Sequence, residues 1–275
     1  MESFLSHIVF LLTKQTDTKS ALVVFSLIMS RMVMIVNLVP FLGGKNAPGP
    51  VKIGIGILLS VVLWPHVAAH MTAPMSAEPI EFVLLMLKEI FVGFSIGFVS
   101  SEIFYTVEMT GQLVDVFRAT NQIQLMVPEL QERSSAWGSL NYQLLLVIFL
   151  TANLHGWFFE ALVDSFVYVP VDGFPLFSYT LARFADQFIH LLSHIFLVSV
   201  TLAAPVGIVC LIIDIAFGLM NRVAPQINAY FLSMPAKALG GLVISFAAFS
   251  LAIRQYEYYA GVTMTKLFEV IQLFR

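Results

Sequence analysis

The sequence predicts an all-α, integral-membrane-type helical fold with about six hydrophobic helical segments, and three observations carry that expectation. Of 275 residues, 59% are hydrophobic and 11% charged, with a mean hydropathy of +0.88, whereas soluble domains hold ~25% charged residues. Charge-free runs recur that are long enough to cross a membrane, since a hydrocarbon core ~30 Å thick needs ~20 apolar residues rising 1.5 Å each. Glycine and proline punctuate the chain between those runs.

In chain order, Met1 to Leu12 is apolar but opens with Glu2 and lacks a basic start and a small-residue cleavage site. It reads as a short first helix and not as a cleaved signal. Ala21 to Leu42 is the first hydrophobic segment, punctuated by Arg31, and Gly43 to Pro50 is a loop. No Asp, Glu, Lys or Arg lies between Lys52 and Glu78, between Arg133 and Glu160, or between Asp186 and Asp214. Pro74 and Pro79 bracket another connection, after which Ile80 to Val107 carries Glu81, Lys88, Glu89 and Glu102. Asp164 to Asp186, with Pro170, Asp172-Gly173 and Pro175, reads as a loop with turns. Ile227 to Ile253, carrying Lys237, is the last segment. Pro65 and Pro205 fall in mid-segment, which fits helices broken where protein or water satisfies the freed backbone.

Charge narrows the function classes. A net charge of −3 gives no basic footprint for nucleic acid. A six-span alternation places six Lys or Arg on each side, so the positive-inside bias sets no orientation. The single Cys210 cannot form an internal disulfide and reads as a small buried hydrophobe. No nucleotide-binding or nucleophile-elbow motif is present. Enzyme activity and cofactors are not expected, and any active transport would draw on an ion gradient or a partner.

Three patterns are candidate sites. Glu81, Lys88, Ser95 and Glu102 recur every seven positions, an arc of roughly 60° on one helix face. That stripe is either a surface facing water, polar partners or a proton relay, or a set of structural pairings between neighbouring helices. Gly93 and Gly97 lie on another face as a G-x-x-x-G pair that permits close helix approach. His66 with His70, and His190 with His194, have the i, i+4 spacing of metal ligands. No Cys accompanies either pair at close range, and no metal is expected. Leu113 to Gly138 is polar, with an apolar tip of Ile123, Leu125, Met126 and Val127 ahead of Pro128. It is longer than a tight turn needs, and reads as a surface loop or as one that closes a cavity.

Asp214 to Lys237, DIAFGLMNRVAPQINAYFLSMPAK, resembles the signature of the FliR/SctT family of type III secretion export-gate proteins. Asn221-Arg222, Ala224-Pro225-Gln226, Asn228 and Pro235 follow Asp214 and Gly218 in the family's order. The Pro40 to Pro50 loop, the helix with Glu89, Gly93 and Gly97, and Gly111-Gln112 resemble the family too. The run Phe231 to Lys237 looks closer to the injectisome branch than to the flagellar one. An ion-coupled secondary transporter using Glu102, Lys88 and Asp214 is the competing class.

The resemblance implies a single export-gate domain over 1–275, with an N-terminal helical half (1–112), a candidate plug loop (113–138) and a C-terminal helical half (139–275). It implies broken helices packed in a ring-like helical assembly with FliP/SctR-like and FliQ/SctS-like subunits, an FlhB/SctU-like switch protein, and rod or needle subunits. Unfolded export substrates would pass through. The expected location is the bacterial inner membrane within the basal body. The plug would be the Phe117 to Glu132 loop, with Phe117, Ile123, Leu125, Met126, Val127 and Pro128 as its residues.

Overall fold

The computed structural model describes residues 18–43, 47–71, 78–120, 135–174, 177–226, 228–272 and 274. All regular structure among them is helical: α1 (Thr18–Leu38), a 3-10 turn (Pro40–Leu42), α2 (Gly49–His70), α3 (Pro79–Phe117), α4 (Ala136–Thr151), α5 (Leu154–Tyr168), α6 (Phe177–Val223), α7 (Ala229–Ala247) and α8 (Phe249–Gln272). Five helices are long and apolar enough to cross a membrane, or six if α4 and α5, bent by 74° to each other, form one span. The bend sits at Ala152-Asn153, where Asn153 takes a left-handed φ of 58°, a conformation that asparagine tolerates better than most residues.

The chain divides into two compact units, and the division falls inside α3, α6 and α8. The first unit comprises 1–101, 153–189 and 262–275. Its core is built from Leu27, Ile28, Met32 and Ile35 on α1, Val92 and Ile96 on α3, Phe158 and Phe166 on α5, and Leu267 and Ile271 on α8. The expected glycine contact is present. A Cβ on Gly93 would stand 2.6 Å from the Arg31 carbonyl oxygen, and one on Gly97 would stand 3.0 Å from Leu38. Only glycine lets α1 lie that close to α3.

The second unit comprises 102–152 and 190–261. Val114, Ala203, Val206 and Cys210 form a buried cluster against which Leu113, Phe117, Trp137 and Ile244 pack, so Cys210 is a small core hydrophobe. Hydroxyls in both units return to their own helix: Ser60, Ser95, Ser100, Thr106, Thr110 and Ser245 each donate to the carbonyl four residues back. In an apolar setting this satisfies the hydroxyl without a partner from outside.

Four expectations need correction. Helices α2 and α6 run through Pro65 and Pro205 without a break, and the break in the apolar spans is at Ala152-Asn153. Asp164 to Asp186 is mostly helix, because α5 continues to Tyr168 and α6 starts at Phe177. Leu113 to Gly138 is helical at both ends, as α3 extends to Phe117 and α4 begins at Ala136. Helix α8 falls largely beyond the last predicted segment. Arg254, Glu257, Lys266 and Glu269 depress its hydropathy, yet Tyr256, Ala260, Met264, Leu267 and Ile271 are buried at helical spacing.

Candidate functional site

Among the described residues, four groups of linked polar side chains stand out on the apolar helices, one in the first unit and three in the second. The first centres on Arg31, whose side chain is fully buried on α1. Its Nε donates to Glu89 Oε2 at 2.5 Å, Nη1 donates to the carbonyl and hydroxyl of Ser165 at 3.1 and 3.2 Å, and Nη2 donates to the Val169 carbonyl at 2.9 Å. The guanidinium lies 4.1 Å from the Phe166 ring centroid. Lys88 Nζ sits 2.8 Å from Glu89 Oε1 and donates to the carbonyls of Pro170, Val171 and Gly173 at 2.7, 3.2 and 2.9 Å. Two cations, one carboxylate and carbonyls at and just beyond the end of α5 thus meet here. Cations suit that position because a helix C-terminus carries partial negative charge.

In the second unit, Glu102 is buried on α3 and its Oε1 lies 2.8 Å from His194 Nδ1 on α6. One turn on, Ser199 donates to the Thr106 carbonyl at 2.9 Å, a second tie between the same helices.

The third group closes the described ends of the 121–134 connection. Asp115 Oδ2 accepts from Ser135 Oγ at 2.5 Å and from the Trp137 amide at 3.1 Å, while Oδ1 is 3.6 Å from Arg118 Nη1. Arg118 in turn donates to the Ala238 carbonyl at 3.4 Å. A Cβ on Gly111 would collide with the Gly138 backbone, so glycine at both positions lets α3 and α4 meet where Asp115 reaches across.

The fourth group is the Asp214 to Lys237 signature. Lys237 Nζ pairs with Asp214 Oδ1 at 2.9 Å; the lysine side chain is 10% exposed and the aspartate 48%. A cavity of about 210 Å³ beside them is lined by Phe217, Gly218, Asn221, Tyr230 and Ser233. Asn228 caps α7, accepting from the Phe231 amide at 3.4 Å. Arg222 ends α6, Pro225 and Gln226 form an exposed turn, and Pro235 is accommodated inside α7.

Of the predicted stripe, Glu81 is exposed in the first turn of α3, while Lys88 and Glu102 are buried with separate partners. It is therefore no continuous water-facing relay. Glu102, Lys88 and Asp214, the trio of the transporter alternative, are each engaged by a different residue. Phe117 is the last residue of α3 and packs against Gly207, whose added Cβ would stand 3.0 Å from its ring. It belongs to the core and not to a loop tip. Ile123, Leu125, Met126, Val127 and Pro128 lie outside the described residues. His194 is held by Glu102, and no cluster of three or more metal-binding side chains occurs among the described residues. Sequence reading did not single out Arg31, Glu89, Ser165, Asp115 or Ser135 as linked groups. Their partners lie 58, 134 and 20 residues apart, and only a charge isolated in an apolar run could have signalled that a partner exists.

Residues 22–261 match the family described as bacterial export proteins, family 1. The chain belongs to that family. Its relatives include Yop proteins translocation protein T of Yersinia pestis, 30% identical over 217 residues, covering 79% of this chain and 82% of the relative. Secretion system apparatus protein SsaT of Salmonella typhimurium is 31% identical over 173 residues, covering 62% and 65%. Flagellar biosynthetic protein FliR of Bacillus subtilis is 26% identical over 215 residues, covering 78% and 81%. The secretion-system relatives are thus the more similar, in line with the run Phe231 to Lys237. All four polar groups of this bacterial export protein fall inside the matched region.

Proposed function

We propose that this chain is a gate subunit of a bacterial type III protein secretion apparatus, without enzymatic activity. It would form the entry pore for unfolded substrates with FliP/SctR-like and FliQ/SctS-like subunits. An FlhB/SctU-like switch protein and rod or needle subunits complete the expected surroundings, in the inner membrane within the basal body. The observation that carries the reading is the family match over 22–261. Helix length supports it. At 39 and 47 residues, α3 and α6 reach about 58 and 70 Å, well beyond the ~30 Å hydrocarbon core. Helices of that length suit an assembly that extends out of the bilayer.

The exposed apolar surface supports it further. Ile208, Leu211, Ile212, Ile215 and Leu219 on α6, and Leu239 and Val243 on α7, are each more than half exposed, a surface suited to lipid or to other apolar helices. The test is isolation of the tagged chain in mild detergent. Two small, very hydrophobic partners at a fixed ratio are expected; a stable monomer that moves a small solute when reconstituted alone would refute the reading in favour of a transporter.

The plug reading concerns the Phe117 to Glu132 loop, of which residues 121–132 lie outside the described residues, and Asp115 and Ser135 on its two sides are hydrogen-bonded. Deleting Ile123 to Val127 is expected to leave the complex assembled but leaking small ions and altered in secretion. An assembled complex with neither change would make the connection an ordinary surface loop.

A further inference from the structure

The second unit holds a small, partly open cavity that none of these readings uses. Its volume is about 40 Å³, and its walls come from five helices: Thr110 on α3, Asn141 on α4, Pro205 on α6, Ser245 on α7 and Tyr256 on α8. Asn141 and Tyr256 are only 3% and 2% exposed, and neither side chain makes a hydrogen bond to any other described residue. Thr110 and Ser245 donate to carbonyls of their own helices, which leaves their oxygens able to accept. Pro205 has no N–H, so α6 is also one hydrogen bond short at this level, at the carbonyl of Thr201.

Buried amides and hydroxyls in folded proteins are satisfied by protein or by ordered water. Here no described protein group does so. Size and chemistry select among ligands: organic ligands occupy sites of ~300–1,000 Å³, far larger than this one. The polar lining is neutral, with two hydroxyls, one amide, one phenol and the indole of Trp137, and offers an ion no counter-charge. Burial raises the Tyr256 hydroxyl above its ordinary pKa, so it stays a neutral donor. A water molecule needs ~10–15 Å³ of such space and two to four polar partners, and both conditions are met.

We propose that this cavity is a hydration site, holding on the order of two ordered water molecules that bridge the Asn141 amide to the Tyr256 hydroxyl with Thr110 and Ser245 as further partners. The site lies inside one unit and does not depend on the export reading.

Two measurements on the assembled complex test it. A map that resolves ordered water should show density within hydrogen-bond distance of both Asn141 and Tyr256. X-ray hydroxyl-radical footprinting, in which radicals form from bound water, should label Tyr256 despite its cover, as well as the partly exposed Trp137. Tyr256→Phe, which keeps the ring and removes only the hydroxyl, should reduce Trp137 labelling several-fold; Asn141→Leu should do the same at Tyr256. An empty cavity in such a map, a direct Asn141 to Tyr256 bond, a partner side chain filling the space, or labelling unchanged by Tyr256→Phe would each overturn the proposal.

Discussion

The Arg31–Lys88–Glu89 cluster and the Asp214–Lys237 pair are both charges placed in helices apolar enough to span a membrane, yet they solve the problem differently. In the cluster every side chain is essentially covered, and the chain's own carboxylate, hydroxyl and carbonyls engage both cations. At the pair the lysine is covered while half of the Asp214 side chain is open, and no other described residue engages it. An uncompensated charge in a low-dielectric setting costs several kcal/mol. The first arrangement draws its partners from within one unit of the fold, whereas the second leaves part of a carboxylate open to its surroundings. Charge closed inside one chain reads as folding; charge left half open in an apolar span reads as assembly.

The largest effect that separates the two is expected at Glu89. Two buried cations share this one carboxylate, so Glu89→Gln leaves both without it, a loss of ~3–5 kcal/mol. Arg31→Met and Lys88→Met should each do less harm, because the remaining cation still balances Glu89. Thermal unfolding of the purified complex checks the order. If Glu89→Gln is the mildest of the three, the cluster is not held by its charge balance.

Backbone contact gives the next effect. Gly93→Val drives a side chain into the Arg31 carbonyl, and overpacking of that kind costs ~1–3 kcal/mol. Gly54 meets nothing within 4 Å, so Gly54→Ala should be neutral or slightly stabilising, by up to ~1 kcal/mol. Equal losses in the yield of folded protein would mean that α1 and α3 are not in close contact.

A smaller loss is expected at the tied ends of the 121–134 connection. Asp115→Ala removes the acceptor for Ser135 Oγ and the Trp137 amide, worth ~1–3 kcal/mol when the donors are left buried and unmatched. Proteolysis between α3 and α4 should accelerate, while sites in the Arg31 cluster keep their protection. Unchanged cleavage would mean that Asp115 does not hold these ends.

How much of this was legible in the sequence depends on whether the signal was local. The six apolar segments, the Gly93 and Gly97 contact and the buried Cys210 follow from composition and spacing along one helix. Helix α8 carried a readable 3.6-residue pattern that its charges masked. The cluster was not readable, because Arg31, Lys88 with Glu89, and Ser165 belong to three helices and nothing in sequence sets which of them meet. For the stripe, the sequence left a water-facing surface and structural pairing both open, because shared angular position on α3 says nothing about neighbours that change along its length. The signature Asp214 to Lys237 was visible as a pattern, but its half-open carboxylate was not.

That carboxylate gives the smallest effect on the isolated chain and the sharpest contrast in the assembly. In the chain alone, Asp214→Asn keeps an oxygen that can accept from the covered Lys237 and alters a partly exposed pair, for which ~0–1 kcal/mol is the usual scale. Unfolding in detergent should shift little. If a partner covers Asp214 in the complex, the same change removes a charge that has become fully desolvated and must be matched there, so recovery of small hydrophobic partners with the tagged chain should fall steeply. Lys237→Met leaves a half-open aspartate that solvent can still hydrate, so it too should cost the isolated chain little and register mainly in the complex. The double variant Asp214→Asn with Lys237→Met then decides between the roles. Restored partner recovery in the double variant would make the pair an internal neutralisation like the Arg31 cluster, whereas continued loss would make Asp214 the group that the partner reads.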